Sequence, residues 1–168
     1  APSLATSAIV FSPANPAVLF AATGEADSAY LEGNPATSYG TYLGAGLLRS
    51  VDGGETWSRV DVDLPANAVV SRVLVNPRDP ARVLVAVYVH HDVAAGRTRV
   101  GGTFLSTDGG VRFVRTFEHA ASDLVQDPTA PDTVLAAFGI DGGCTSCASP
   151  GGVWRSNDFG LTWSPSLT

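Results

Sequence analysis

Three stretches of the chain collect the residue types that do chemistry. Positions 24–44 hold Glu25, Asp27 and Glu32, interleaved with Tyr30, Tyr39 and Tyr42. Positions 90–99 hold His90, His91 and Asp92, followed by Arg97 and Arg99. Positions 140–150 hold Asp141 and the pair Cys144 and Cys147. Imidazole and carboxylate together are metal-ligand types. Neighbours on an extended segment point to opposite sides, so His90 and His91 do not readily share one ion. A metal site would need one of them with Glu25, Asp27 or Asp141 from another stretch. Polar residues closing a strand are the plainer reading, so the expectation is no metal and no cofactor.

The Cys-x-x-Cys pair leaves three chemistries open. A redox motif would sit near a βαβ pattern, which the sequence lacks. A zinc site needs two further ligands, and there is no second cysteine pair. A local disulfide between Cys144 and Cys147, made in an oxidising compartment, is the favoured reading. It would order its loop more than it would stabilise the fold, because the ring it closes is small. Tyr30, Tyr39 and Tyr42 offer apolar bodies with polar tips. Arg97 and Arg99 offer planar donors for an anion.

The elements that must position these stretches are written in a repeated octet. It reads Ser50-Val51-Asp52-Gly53-Gly54-Glu55-Thr56-Trp57, then Ser106-Thr107-Asp108-Gly109-Gly110-Val111-Arg112-Phe113, then Ser156-Asn157-Asp158-Phe159-Gly160-Leu161-Thr162-Trp163. Asp accepts bonds from its own downstream amides, and Gly at the fifth place supplies positive φ. An apolar run precedes each octet, and the closing aromatic is expected to begin the next strand and anchor a small core. Each octet therefore predicts a hairpin corner. A second signature precedes it: Pro13-Ala14-Asn15-Pro16, Pro77-Arg78-Asp79-Pro80 and Pro128-Thr129-Ala130-Pro131, each between two apolar strands. Proline stops the first strand and shapes the bend.

The unit is strand, Pro turn, strand, variable stretch, strand, octet, strand. Pro77 and Pro128 lie 51 residues apart, and Ser106 and Ser156 lie 50 apart. Four antiparallel strands at that period predict propeller blades. The expected architecture is all-β, a β-propeller arc of three four-stranded blades at about 7–66, 67–119 and 120–168. The strands are expected at 7–12, 17–23, 45–50 and 56–62; at 70–75, 82–89, 100–106 and 112–117; and at 121–126, 133–139, 151–156 and 161–166.

The octet resembles the Asp-box, or BNR repeat, of sialidases, sortilin-type receptors, xyloglucanase-type glycoside hydrolases and photosystem assembly factors. The first and third copies match its Ser-x-Asp-x-Gly-x-Thr-Trp form. The second has Arg112 for Thr and Phe113 for Trp, which predicts a looser corner. The resemblance implies that Ser50, Asp52, Gly54, Trp57, Ser106, Asp108, Gly110, Phe113, Ser156, Asp158, Gly160 and Trp163 are structural. It also prompts a test for glycoside hydrolysis, which needs two positioned acids across a cleft. Glu25, Asp27, Glu32, Asp92 and Asp141 are the candidates. The sialidase Arg-Ile-Pro entry motif and three-arginine cluster are missing, as is the Gly-rich run leading to an Asp of xyloglucanase-type enzymes. The chain looks most like secreted bacterial Asp-box proteins without an assigned reaction.

Composition narrows the partners. The net charge is −6, and all ten basic residues are arginine. Scattered Arg on an acidic chain is a poor polyphosphate binder, which disfavours nucleic acid. No apolar run approaches a membrane span, so membrane insertion is not expected. The chain has no methionine, and the expectation is a processed form or a piece of a longer, extracellular or periplasmic protein. Closed propellers have about four to eight blades, so three need others, from a longer chain or from copies of the same chain.

Strand alternation puts the Pro turns and octets on one face and 24–44, 90–99 and 140–150 on the other. Variable loops on a rigid scaffold are where binding sits. The leading expectation is a non-enzymatic binding or assembly module that contacts protein or glycan through those stretches. The alternative is a fragment of a sialidase- or xyloglucanase-like glycoside hydrolase.

Overall fold

The computed structural model describes residues 5–24, 44–60, 68–89, 91–92, 97–98, 101–138 and 151–167. Twelve of its strands form three four-stranded antiparallel sheets. The first sheet runs β1 (Thr6–Ser12), β2 (Asn15–Thr23), β3 (Leu47–Ser50), β4 (Ser58–Arg59). The second holds β5 (Val69–Val75) and β6 (Val83–Val89), with β9 (Gly102–Ser106) and β10 (Val114–Phe117). Between β6 and β9 comes a small ribbon of β7 (His91–Asp92) and β8 (Arg97–Thr98). The third sheet runs β11 (Ala121–Gln126), β12 (Val134–Phe138), β13 (Gly152–Ser156), β14 (Ser164–Leu167). Strand β5 lies against β1 and β2 on one side and against β11 on the other. The sheets are therefore stacked as consecutive blades of a partial β-propeller. No helix among the described residues is long and apolar enough to cross a membrane.

The sequence of β6 shows why the middle blade is buried on both faces. Val83, Val85 and Val87 point toward the first blade, and Leu84 and Ala86 toward the third. Alternate side chains of a strand serve opposite faces, so an unbroken apolar run suits a sheet covered on both sides. The first seam packs Phe20, Ala22 and Val10 against Val73, Val75, Val83, Val85, Val87, Phe104 and Phe113. The second packs Leu84, Ala86, Leu105 and Leu74 against Leu124, Val134, Ala136, Phe138 and Phe159. Each fully buried Val, Leu or Phe contributes about 1.5–3 kcal/mol, so the seams are the main adhesive of the arc.

Glycines set how closely the blades approach. A Cβ on Gly110 would sit 2.4 Å from the Phe20 ring. A Cβ on Gly160 would sit 2.5 Å from Leu84. Phe20 and Leu84 hold equivalent positions in their blades, so each is a knob seated on the box glycine of the next blade. Among the described residues, Gly54, the same position in the first box, has only its own Trp57 nearby, at 3.6 Å.

The outer strands are shorter than the sequence predicts. They begin at Ser58, Val114 and Ser164, one residue after the closing aromatic rather than at or before it. The last residues of the octet are bonded back to its Asp, so they cannot join the ladder.

Candidate functional site

Each octet closes around two side chains. The Ser50 hydroxyl donates to Asp52 Oδ1 at 2.7 Å and accepts the Gly54 N–H at 2.9 Å. Asp52 accepts the Thr56 N–H at 2.9 Å and the Thr56 hydroxyl at 2.5 Å. Asp158 repeats this with Thr162 at 2.8 and 2.5 Å. The second copy loses the hydroxyl arm, because Arg112 stands where Thr is expected. Asp108 keeps the Arg112 N–H at 2.9 Å and also takes the Val111 N–H at 3.0 Å. That corner is therefore not loosened, and Phe113 behind it is fully buried.

These bonds explain the acidity of the three carboxyls. The Thr56 hydroxyl and N–H, with the Ser50 hydroxyl, hold Asp52 down at about 2. The Arg112 N–H is the main cause that keeps Asp108 below the usual carboxylate range. Burial pushes Asp158 up, but the Thr162 and Ser156 bonds together outweigh it and leave it lowered. Carboxylates saturated by donors of their own turn favour the ionised form and are poor general acids.

The boxes are also tied to the Pro turns. Gly53 N–H donates to Ala17 O at 2.9 Å, Gly109 to Ala81 O at 2.8 Å, and Phe159 to Asp132 O at 2.7 Å. Each of the three lies within its own blade, so boxes and Pro turns share one end of the arc, as strand alternation predicts. The three non-repeating stretches leave the sheets at the opposite end.

Glycine necks root two of those stretches. Thr23 N–H donates to Gly46 O at 3.1 Å, and Gly24 N–H to Ala5 O at 2.8 Å. A Cβ on Gly44 would lie 2.4 Å from the Thr23 carbonyl, and one on Gly24 would lie 3.0 Å from Val69 Cα. The first stretch therefore departs and returns through one narrow point, beside the start of the second blade. A Cβ on Gly101 would lie 2.4 Å from Ala120 Cα. The second stretch thus returns against the entry to the third blade.

The sequence-predicted ligand residues divide accordingly. Glu25, Asp27, Tyr30, Glu32, Tyr39, Tyr42, His90, Arg99, Asp141, Cys144 and Cys147 lie outside the described residues. His91, Asp92 and Arg97 fall on the β7–β8 ribbon, whose register pairs His91 with Thr98 and Asp92 with Arg97. Among the described residues, no group of three His, Cys, Asp or Glu could hold a metal ion. Ser50, Ser106 and Ser156 each donate to the Asp of their own corner. Phe113 is fully buried, whereas Trp57, expected to anchor a core, is exposed.

Sequence reasoning missed a polar clamp across the second seam. Arg82 Nη1 lies 3.1 Å from Asp132, Arg82 Nη2 donates to the Asp158 carbonyl, and the guanidinium sits 5.2 Å from the Phe159 ring centroid. Asn76 Nδ2 donates to the same Asp132 carboxylate at 2.9 Å. Phe159 takes φ of 55° where the other boxes have Gly53 and Gly109. That region is unfavourable for a bulky residue, and full burial beneath Arg82 holds it there. Val18 and Thr133 occupy the Arg82 place in the other blades, so no repeat pattern pointed to it.

A BNR/Asp-box repeat model matches residues 48–59, the first box. An ancestral GH74 enzyme has a similar structure, with TM-score 0.65 and 20% identity, over 99% of this chain and 19% of that one. The GH74 xyloglucanase from Xanthomonas campestris gives TM-score 0.63 and 16% identity, over 98% and 22%. A protein of unknown function from Dyadobacter fermentans gives TM-score 0.53 and 16% identity, over 93% and 48%. The chain thus spans less than a quarter of either GH74 structure. A search of the curated proteins finds no match to the chain.

Proposed function

We propose, from a chain that carries Asp-box repeats and folds as an arc of a β-propeller, that it is an extracellular or periplasmic binding module. It contacts glycan or protein through 24–44, 90–99 and 140–150. The carrying observation is the division between its two ends. At one end every box carboxylate is consumed by its own corner, and the boxes are bonded to the Pro turns. At the other, non-repeating segments with Tyr, Arg and carboxylates depart from glycine necks held against the next blade. A rigid base under variable segments is the arrangement that suits recognition. Glycan is the favoured ligand, because a structural neighbour is named a xyloglucanase. Tyr30, Tyr39 and Tyr42 would stack on sugar faces, and Arg97 and Arg99 would meet acidic groups. A Cys144–Cys147 disulfide would brace the third segment.

A second reading takes the chain as part of a glycoside hydrolase. The two GH74 neighbours favour it. It requires two carboxylates, from Glu25, Asp27, Glu32, Asp92 and Asp141 or from other blades. Calorimetric titration with xyloglucan oligosaccharides and a reducing-end assay separate the two readings. The binding module predicts saturable heat, at least tenfold weaker binding in Tyr39→Ala or Tyr42→Ala, and no new reducing ends. Release of reducing ends that disappears in Glu25→Gln or Asp27→Asn would overturn it, as would an absence of binding to both glycan and protein panels.

A further inference from the structure

The necks of the first and second blades are tied by different donors. In the first, Thr23 at the end of β2 gives both its groups to one carbonyl. Its N–H donates to Gly46 O at 3.1 Å and its hydroxyl to the same oxygen at 2.6 Å. Val87 holds the Thr23 place in the second blade, since Leu19 faces Ser50 as Val83 faces Ser106. Valine has no hydroxyl to give. A donor comes instead from the outer strand: Arg115 Nη2 donates to Gly101 O at 2.6 Å and to Glu118 O at 3.0 Å. Gly101 leads the 90–99 stretch back into β9, and Glu118 lies in the link from β10 to β11. One guanidinium nitrogen therefore bridges the root of that stretch to the entry of the third blade.

Backbone is packed to contact around this bridge. A Cβ on Gly101 would lie 2.4 Å from Ala120 Cα and 2.6 Å from Val87 O. A Cβ on Gly102 would lie 2.4 Å from Phe117 O and 2.9 Å from Arg115 Nε. Two successive glycines thus let the guanidinium and the link between blades close on the same point. The Nε atom is buried there, so the head group cannot swing out without unpacking the neck. Donation from a charged group to a carbonyl is stronger than donation from a neutral one.

We propose that Arg115 is the positioning residue of the 90–99 segment. It latches the point where that segment rejoins β9 to the start of the third blade. In doing so it sets where the β7–β8 ribbon presents Arg97 to a ligand. The role in binding rests on the reading of this segment as a contact surface; the latch does not.

Amide hydrogen exchange and calorimetric titration of two variants test it. Arg115→Met keeps an apolar stem and removes every donor. Arg115→Lys returns a charged donor that can serve both carbonyls. Arg115→Met is expected to speed exchange at Thr98 and Gly102 by about tenfold, with Leu84 and Leu124 unchanged. It is also expected to bind xyloglucan oligosaccharides about fivefold more weakly than the parent. Arg115→Lys is expected to recover most of both losses, which a merely space-filling role would not produce. Unchanged exchange in Arg115→Met, or equal losses in the two variants, would overturn the latch. Faster exchange with unchanged glycan affinity would overturn the positioning role. A parent that binds no xyloglucan would sink the glycan reading and the positioning role with it, while the exchange comparison still decides the latch.

Discussion

Gly54 and Gly110 occupy the same place in their corners, with φ of 94° and 80°. Among the described residues, a knob sits on Gly110 and none on Gly54. At Gly54 the turn alone demands glycine; at Gly110 the turn and the next-door ring of Phe20 both do. One repeated residue therefore serves two purposes, and only the corner is written locally. The seam depends on residue 20 meeting residue 110, which no short motif records.

Substitution separates the two demands. Gly110→Ala is expected to cost about 3 kcal/mol, combining positive-φ strain with overpacking against Phe20. Gly54→Ala is expected to cost about 1 kcal/mol, the strain alone. Urea unfolding measures both. Equal losses would mean that the Phe20 knob contributes nothing to the seam.

The smallest expected effect lies in the corners themselves and compares the first box with the second. Asp52 is held at about 2 against an ordinary 3.8. Its folded value is depressed, so its contribution to stability is complete above the ordinary value and is lost as pH falls from there toward 2. Asp108 is lowered without a threonine hydroxyl. Carboxyl carbon titration by NMR should therefore show Thr56→Val raising the Asp52 midpoint and Arg112→Thr lowering that of Asp108. Midpoints indifferent to these changes would deny the hydroxyl its role.

Much of this fold was legible because its rules are local. Ser50, Asp52 and Gly54 bond within five residues, so the corner can be read from the octet. The Pro turns, the four-strand unit and the sharing of one end by turns and boxes follow from spacing. The outer strands were misjudged by a few residues, because Thr56 and Trp57 were counted for the ladder when Asp52 already held the Thr56 amide. Arg82 and Phe159 were illegible for another reason: each departs from its repeat, and periodicity conceals departures. The binding segments were legible only as departures, by length and composition. Their residues do not recur, so no internal comparison assigns them roles.

The arc is held by knobs of one blade meeting the box glycines of the next. Proton NMR of the isotopically labelled chain tests this directly, through nuclear Overhauser contacts at the two notches. Cross-peaks are predicted from the Phe20 ring to the Gly110 α-protons and from the Leu84 methyls to those of Gly160. Phe20 contacts to Gly54 of its own blade, with none to Gly110, would contradict the stacking on which the arc is built.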